Sequence, residues 1–169
     1  MSEANELRTI SAKELKAILL EHQRWLVDNE TGVRAELHGV DLRGADLRGA
    51  DLIGASLSRA NLSGAPKIEN IHQTVYNAVI ATPDKFDMSI WHGGEYKHAC
   101  DTTHCRAGWV VALAGDAGRE LEKRIGTPAA ASLIYMASDP DIGQFPNFYC
   151  NNEAALADMK ARAEAEAGQ

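Results

Sequence analysis

Six side chains able to do chemistry crowd into the stretch from His98 to Trp109: His98, Cys100, His104, Cys105, Arg106 and Trp109. Neutral imidazole and thiolate are the usual zinc ligands, and a cysteine in the first turn of a helix can ionise early and act as a nucleophile. His92 lies just upstream and Cys150 well downstream, so a set of four ligands can be assembled on paper. The spacing argues against it. Cys100 and Cys105 stand as C-x4-C rather than in the knuckle spacing of structural zinc sites, and adjacent His104 and Cys105 would reach one ion with poor geometry. The plainer reading is structural, with Cys105 a small buried residue at a helix start and His104 a capping or hydrogen-bonding group.

A thiol enzyme centred on Cys105 is the third reading. Cys105-Arg-Ala-Gly-Trp109 resembles the cysteine segment of papain-type and cell-wall peptidases, in which the catalytic histidine follows the cysteine. Here all six histidines precede Cys105. Other catalytic signatures are missing: the sequence has no G-x-x-x-x-G-K-[ST], no G-x-G-x-x-G after a strand and no H-E-x-x-H. The expectation is therefore a non-enzyme with no cofactor, no catalytic residue and no metal. The six residues from His98 to Trp109 form the candidate functional cluster, and a metalloprotein or thiol enzyme at Cys105 is the alternative.

These side chains need a scaffold. Ala107, Trp109, Val110, Val111, Leu113 and Ala114 predict a buried helix that Thr102 or Thr103 caps, with Cys105 in its first turn and an end near Gly115 or Gly118. A helix follows over 119–125, then one opened by Thr127-Pro128, then a final one capped by Asn151 or Asn152. Upstream, Ile68, Ile71, Val75, Ala78 and Val79 give a helical stripe that ends at Thr82-Pro83-Asp84. Near the start, Ser11-Ala-Lys-Glu14 has the form of a capping box ahead of Leu15, Ile18, Leu19, His22, Trp25 and Leu26, and residues 1–10 read as a loose lead-in.

Between the helical stretches lies a different pattern. Leu37, Leu42, Leu47, Leu52, Leu57 and Leu62 recur every five residues, with a small residue or valine two positions before each. A helix would spread such leucines by roughly 140° per step, and a flat strand would send alternate ones to opposite faces. Only a chain that turns a corner in every unit keeps them all inside. The ladder resembles the pentapeptide-repeat family, with consensus A(D/N)LXX. That resemblance implies a short right-handed, four-sided β-helix of about one and a half coils, with leucine and the small residue inward. The fold class expected is α+β: an N-terminal capping helix over 1–33, the β-helix over 34–65, and an all-α C-terminal domain over 66–169. The run from Cys100 to Trp109 also resembles a C-x-T-x-x-C-x-A-G-[WH] motif of small bacterial and phage proteins, and its pairing with a short ladder is similar to phage and prophage layouts.

Charge narrows the partners. The net charge of −7 falls as six acids against four bases in 1–33, four against four in 34–65, and fourteen against nine in 66–169. A neutral, short ladder is a poor mimic of DNA, so the acidic DNA-mimic inhibitor of a DNA-acting enzyme stands as an alternative only. A direct nucleic-acid binder needs a basic patch, and none is visible. No apolar run approaches the roughly eighteen residues of a membrane helix, and MSEANELR lacks the apolar core of a secretory signal, so a cytoplasmic location and no membrane contact are expected. The expected role is a protein–protein interaction scaffold that binds or inhibits a host protein, with a homodimer as a further option. Outward residues of the ladder, namely His38, Arg43, Arg48, Ile53 and Arg59, would supply its surface.

Overall fold

The computed structural model describes residues 7–43, 45–47, 50–52, 54–57, 60–61, 64–90, 92–93, 103–142 and 144–168. Helix α1 (Ala12–Val27) starts where the capping residue predicts, with Ser11 Oγ accepting from the Glu14 N–H at 3.2 Å. It buries Leu15 and His22 and partly buries Ile18 and Leu19, so the apolar stripe faces the protein.

The ladder then winds as a square coil. At each corner the N–H of Val40, Ala45, Ala50, Ala55 or Ala60 donates to the carbonyl three residues back, at 2.9–3.1 Å. Parallel bridges join Glu36 to Ser56 and Asp41 to Asn61, each pair twenty residues apart. Four units of five therefore complete one turn. Leu37, Val40, Leu42, Leu47, Leu52 and Leu57 are buried, whereas Glu36, His38 and Arg43 are exposed. Leu62, Arg48, Ile53 and Arg59 lie outside the described residues. Gly54 sits at φ +75°, and a Cβ there would meet the Trp25 ring at 3.1 Å, so this corner needs glycine both for its backbone and for the packing of α1.

The lower edge of the coil is closed by the segment before it. Arg8 donates its N–H to the Gly39 carbonyl and accepts from the Asp41 N–H, at 2.8 and 2.9 Å, which places it as a layer beneath Val40. The Arg8 guanidinium also donates to the Glu36 carbonyl, at 2.9 Å. His22 Nδ1 accepts from the Ala35 N–H at 3.2 Å. The loose lead-in expected over residues 1–10 is thus corrected for residues 7–10, because an open coil edge offers backbone groups that an extended segment satisfies.

The rest of the chain is mainly helical, and the all-α expectation for 66–169 is corrected by a short two-stranded ribbon, which the backbone bonds between the 86–90 loop and His104–Cys105 hold ahead of the third helix. Helix α2 (Ile71–Ala81) begins three residues after the apolar stripe does, since Asn70 adopts a left-handed φ of 47°. A 3-10 turn at Pro83–Lys85 leads to a two-residue antiparallel ribbon, β1 (His92–Gly93) and β2 (Thr103–His104), with His92 opposite His104. Then come α3 (Arg106–Leu113), α4 (Gly115–Ile125), α5 (Thr127–Ser138) and α6 (Asn152–Ala167). Gly115 at φ +65° makes the corner between α3 and α4. Helix α2 packs on α3 and α6, and α3 packs on α4 and α5. The Glu166 carboxylate of α6 accepts the N–H groups of His72 and Gln73, so an acid caps the positive end of α2. Leucines of the coil and apolar residues of the helices form one continuous core. Among the described residues no helix is long and apolar enough to cross a membrane.

Candidate functional site

Four of the six candidate residues meet at the start of α3; His98 and Cys100 lie outside the described residues. The predicted cap at Thr102 or Thr103 is corrected to Cys105, because Thr103 and His104 are drawn into the ribbon and the helix starts only at Arg106. The Cys105 N–H donates to the Ile90 carbonyl at 2.8 Å, and the His104 carbonyl accepts from the Asp87 N–H at 3.1 Å. The residues before α3 are therefore pinned to the 86–90 loop.

Cys105 is wholly buried, and its Sγ accepts from the Gly108 N–H at 3.4 Å. Its thiol stands in for the hydroxyl or carboxylate that usually caps a helix. Burial pushes the thiol up to about 11, against the pull of the Gly108 and Ala107 N–H groups, and the Glu122 charge adds to the rise. At neutral pH the sulfur is protonated, unlike the thiolate of an activated nucleophile. His104 is buried with its ring edge-on to Trp109, centroids 5.3 Å apart.

Arg106 is only 1% exposed, and a buried guanidinium must be answered. Its Nε donates to the Tyr135 hydroxyl at 3.0 Å, its Nη1 forms an ion pair with Asp158, and its charge lies 5.6 Å from the Tyr135 ring centre. Arg162 joins the same carboxylate at 2.9 Å. Partial burial works to raise the Asp158 acid, but Arg106 and Arg162 outweigh it and hold the carboxyl below its usual range. Tyr135 in turn stacks between His72 and Phe148, and His72 Nε2 lies 3.0 Å from Asp139. Arg106 thus ties α3 to α5 and α6. Tyr135, Asp158, His72 and Asp139 are absent from the expected cluster, although a charge at position 106 beside an apolar run was itself a signal that an acid must come to it.

Among the described residues no group of three or more His, Cys, Asp or Glu side chains gathers as a metal site. Cys150 is engaged elsewhere, its thiol donating to the Asn147 carbonyl at 3.3 Å. A second junction lies at the coil, where Asp51 accepts from the Tyr149 hydroxyl; burial chiefly, and the Asp51 charge next, push that phenol up to about 12.

Residues 33–65 match the family model for pentapeptide repeats (8 copies), and the match falls on the square coil. No curated protein and no solved structure matched the chain.

Proposed function

We propose that the chain is a non-enzymatic scaffold that binds another protein through the outer rows of its coil, wound right-handed. The observation that carries this reading is the use of Cys105: its thiol is buried, protonated and engaged as a helix cap. Arg106 and His104 are likewise consumed by packing. The coil, by contrast, turns its leucines in and leaves Glu36, His38 and Arg43 exposed. Proteins with pentapeptide repeats are commonly non-enzymatic interaction proteins, and residues 33–65 carry those repeats. The resemblance of the Cys100–Trp109 run to a motif of phage proteins supports a phage or prophage setting, in which the partner is a host protein.

The test is affinity capture from lysate with the wild-type chain and with a His38→Glu, Arg43→Glu variant, followed by binding of the purified captured protein to each. A partner held stoichiometrically by the first and at least tenfold more weakly by the second supports the reading. Stoichiometric zinc in purified protein, lost in Cys100→Ser, would defeat it in favour of a metalloprotein.

A further inference from the structure

Helix α1 is held on the coil by a bond that a single proton removes. His22 is wholly buried on α1, and its Nδ1 accepts the Ala35 N–H at 3.2 Å, where the chain enters the coil. An imidazole nitrogen that accepts carries no hydrogen, so the neutral ring holds its proton on Nε2. The charged ring carries a hydrogen on each nitrogen. A proton on Nδ1 therefore sets two N–H groups against each other inside the core and leaves the Ala35 amide without its acceptor. The conflict arises at Nδ1 itself, whatever Nε2 meets.

One turn away on α1, the neighbours of His22 are Ile18, Leu19, Trp25 and Leu26, and its ring stacks on Trp25 with centroids 5.4 Å apart. The charged groups on the elements packed there are exposed or engaged elsewhere. Glu21 pairs with Arg24, Arg34 donates to the Gly54 carbonyl, and Arg8 donates to the Glu36 carbonyl. Asp51 accepts from the Tyr149 hydroxyl, and Glu36 is exposed. Release of the helix resolves the conflict, because a freed imidazolium is hydrated and a freed amide bonds to water. We infer that His22 is an acid-sensitive latch, whose protonation frees α1 from the lower coil and uncovers the apolar faces of both. The sign follows from linkage. The closed state excludes the proton and the released state binds it near the ordinary imidazole value of about 6.5, so the latch is closed above that pH and is lost as pH falls through it. By about pH 5 the release equilibrium has gained about thirtyfold. The latch goes beyond the scaffold reading and stands whether or not that reading holds.

The test is residue-resolved amide exchange on the full chain between about pH 7.5 and about pH 5, expressed as protection so that the intrinsic pH dependence of exchange cancels. Protection at Ala35 should fall about thirtyfold across that range. The Cys105 N–H, bonded to the Ile90 carbonyl at 2.8 Å, should stay the better protected of the two throughout, because release of α1 leaves the helical core folded. His22→Asn sets a carbonyl that does not titrate where Nδ1 was, and its Ala35 protection should change less than about threefold. Should that variant fail to fold, the wild-type ring decides: the nitrogen resonances of His22 should keep Nδ1 unprotonated until Ala35 protection is lost. A flat wild-type profile, the same fall in His22→Asn, or a ring that takes its proton while Ala35 stays protected would overturn the latch. So would equal protection at Ala35 and Cys105, since the chain would then open as a whole.

Discussion

The buried thiol at the head of α3 makes a quantitative demand on both reactivity and stability. With Cys105 pushed up to about 11, its thiolate share near pH 7.5 is roughly 0.03%, about three-hundredfold below that of an ordinary cysteine. Burial then removes access to the sulfur altogether in the closed state. A raised folded value also fixes the sign of the pH effect. The folded state keeps its proton where the unfolded thiol loses it, so the contribution is full below about 8.5 and is lost as pH climbs toward 11. The loss amounts to roughly 2 kcal/mol by about pH 10. The assay uses a Cys100→Ser, Cys150→Ser background with and without Cys105→Ala. Urea unfolding near pH 7, 8.5 and 10 should show the Cys105 protein losing about 2 kcal/mol more over the alkaline limb than its alanine counterpart. Alkylation by iodoacetamide near pH 7.5 should be at least a few hundredfold slower in the folded protein than in urea. Parallel alkaline limbs, or alkylation at the rate of a free thiol, would refute the reasoning and restore Cys105 as a nucleophile.

Other junctions can be tested in the same way. His22→Leu removes the acceptor of the Ala35 N–H inside the core, which should cost about 1–3 kcal/mol in urea unfolding and speed hydrogen exchange at Ala35 in proportion. Asp158→Asn leaves the Arg106 charge buried; because Asp158 is 41% exposed, solvent discounts the cost to about 1–2 kcal/mol at neutral pH. The Asp158 carboxyl is held below its usual range, so that stabilisation is present above about pH 4 and fades as pH falls further; wild type and variant should converge in acid. Gly54→Ala forces a left-handed φ on alanine and presses its Cβ on Trp25, at a cost on the order of 1 kcal/mol or more, read as a lower thermal midpoint.

The coil was legible because its period is incompatible with either regular element, and burial of Leu37, Leu42, Leu47, Leu52 and Leu57 follows that period residue by residue. The helix ends were legible where a local side chain writes them, as at Ser11 and Asn151. What the sequence concealed is long-range. Arg8 carries no strand pattern, yet it pairs with a segment thirty-two residues away because the coil's edge demands a partner. The cap of α3 moved to Cys105 because the bonds of His104 and Cys105 to Asp87 and Ile90 outrank local preference. At the candidate cluster, Arg106 and Tyr135 each announced an unmet need within an apolar run. Nothing local says that they meet each other, or that Asp158 completes them.

The rung supplied by Arg8 has a consequence for anything that shortens the chain. It seals one end of a prism, answering the Gly39 carbonyl and the Asp41 N–H that the lower rim would otherwise leave bare. Proteolysis between Arg8 and Ser11 would unseal that end. A bared rim of that kind is a template for pairing with any extended segment that reaches it.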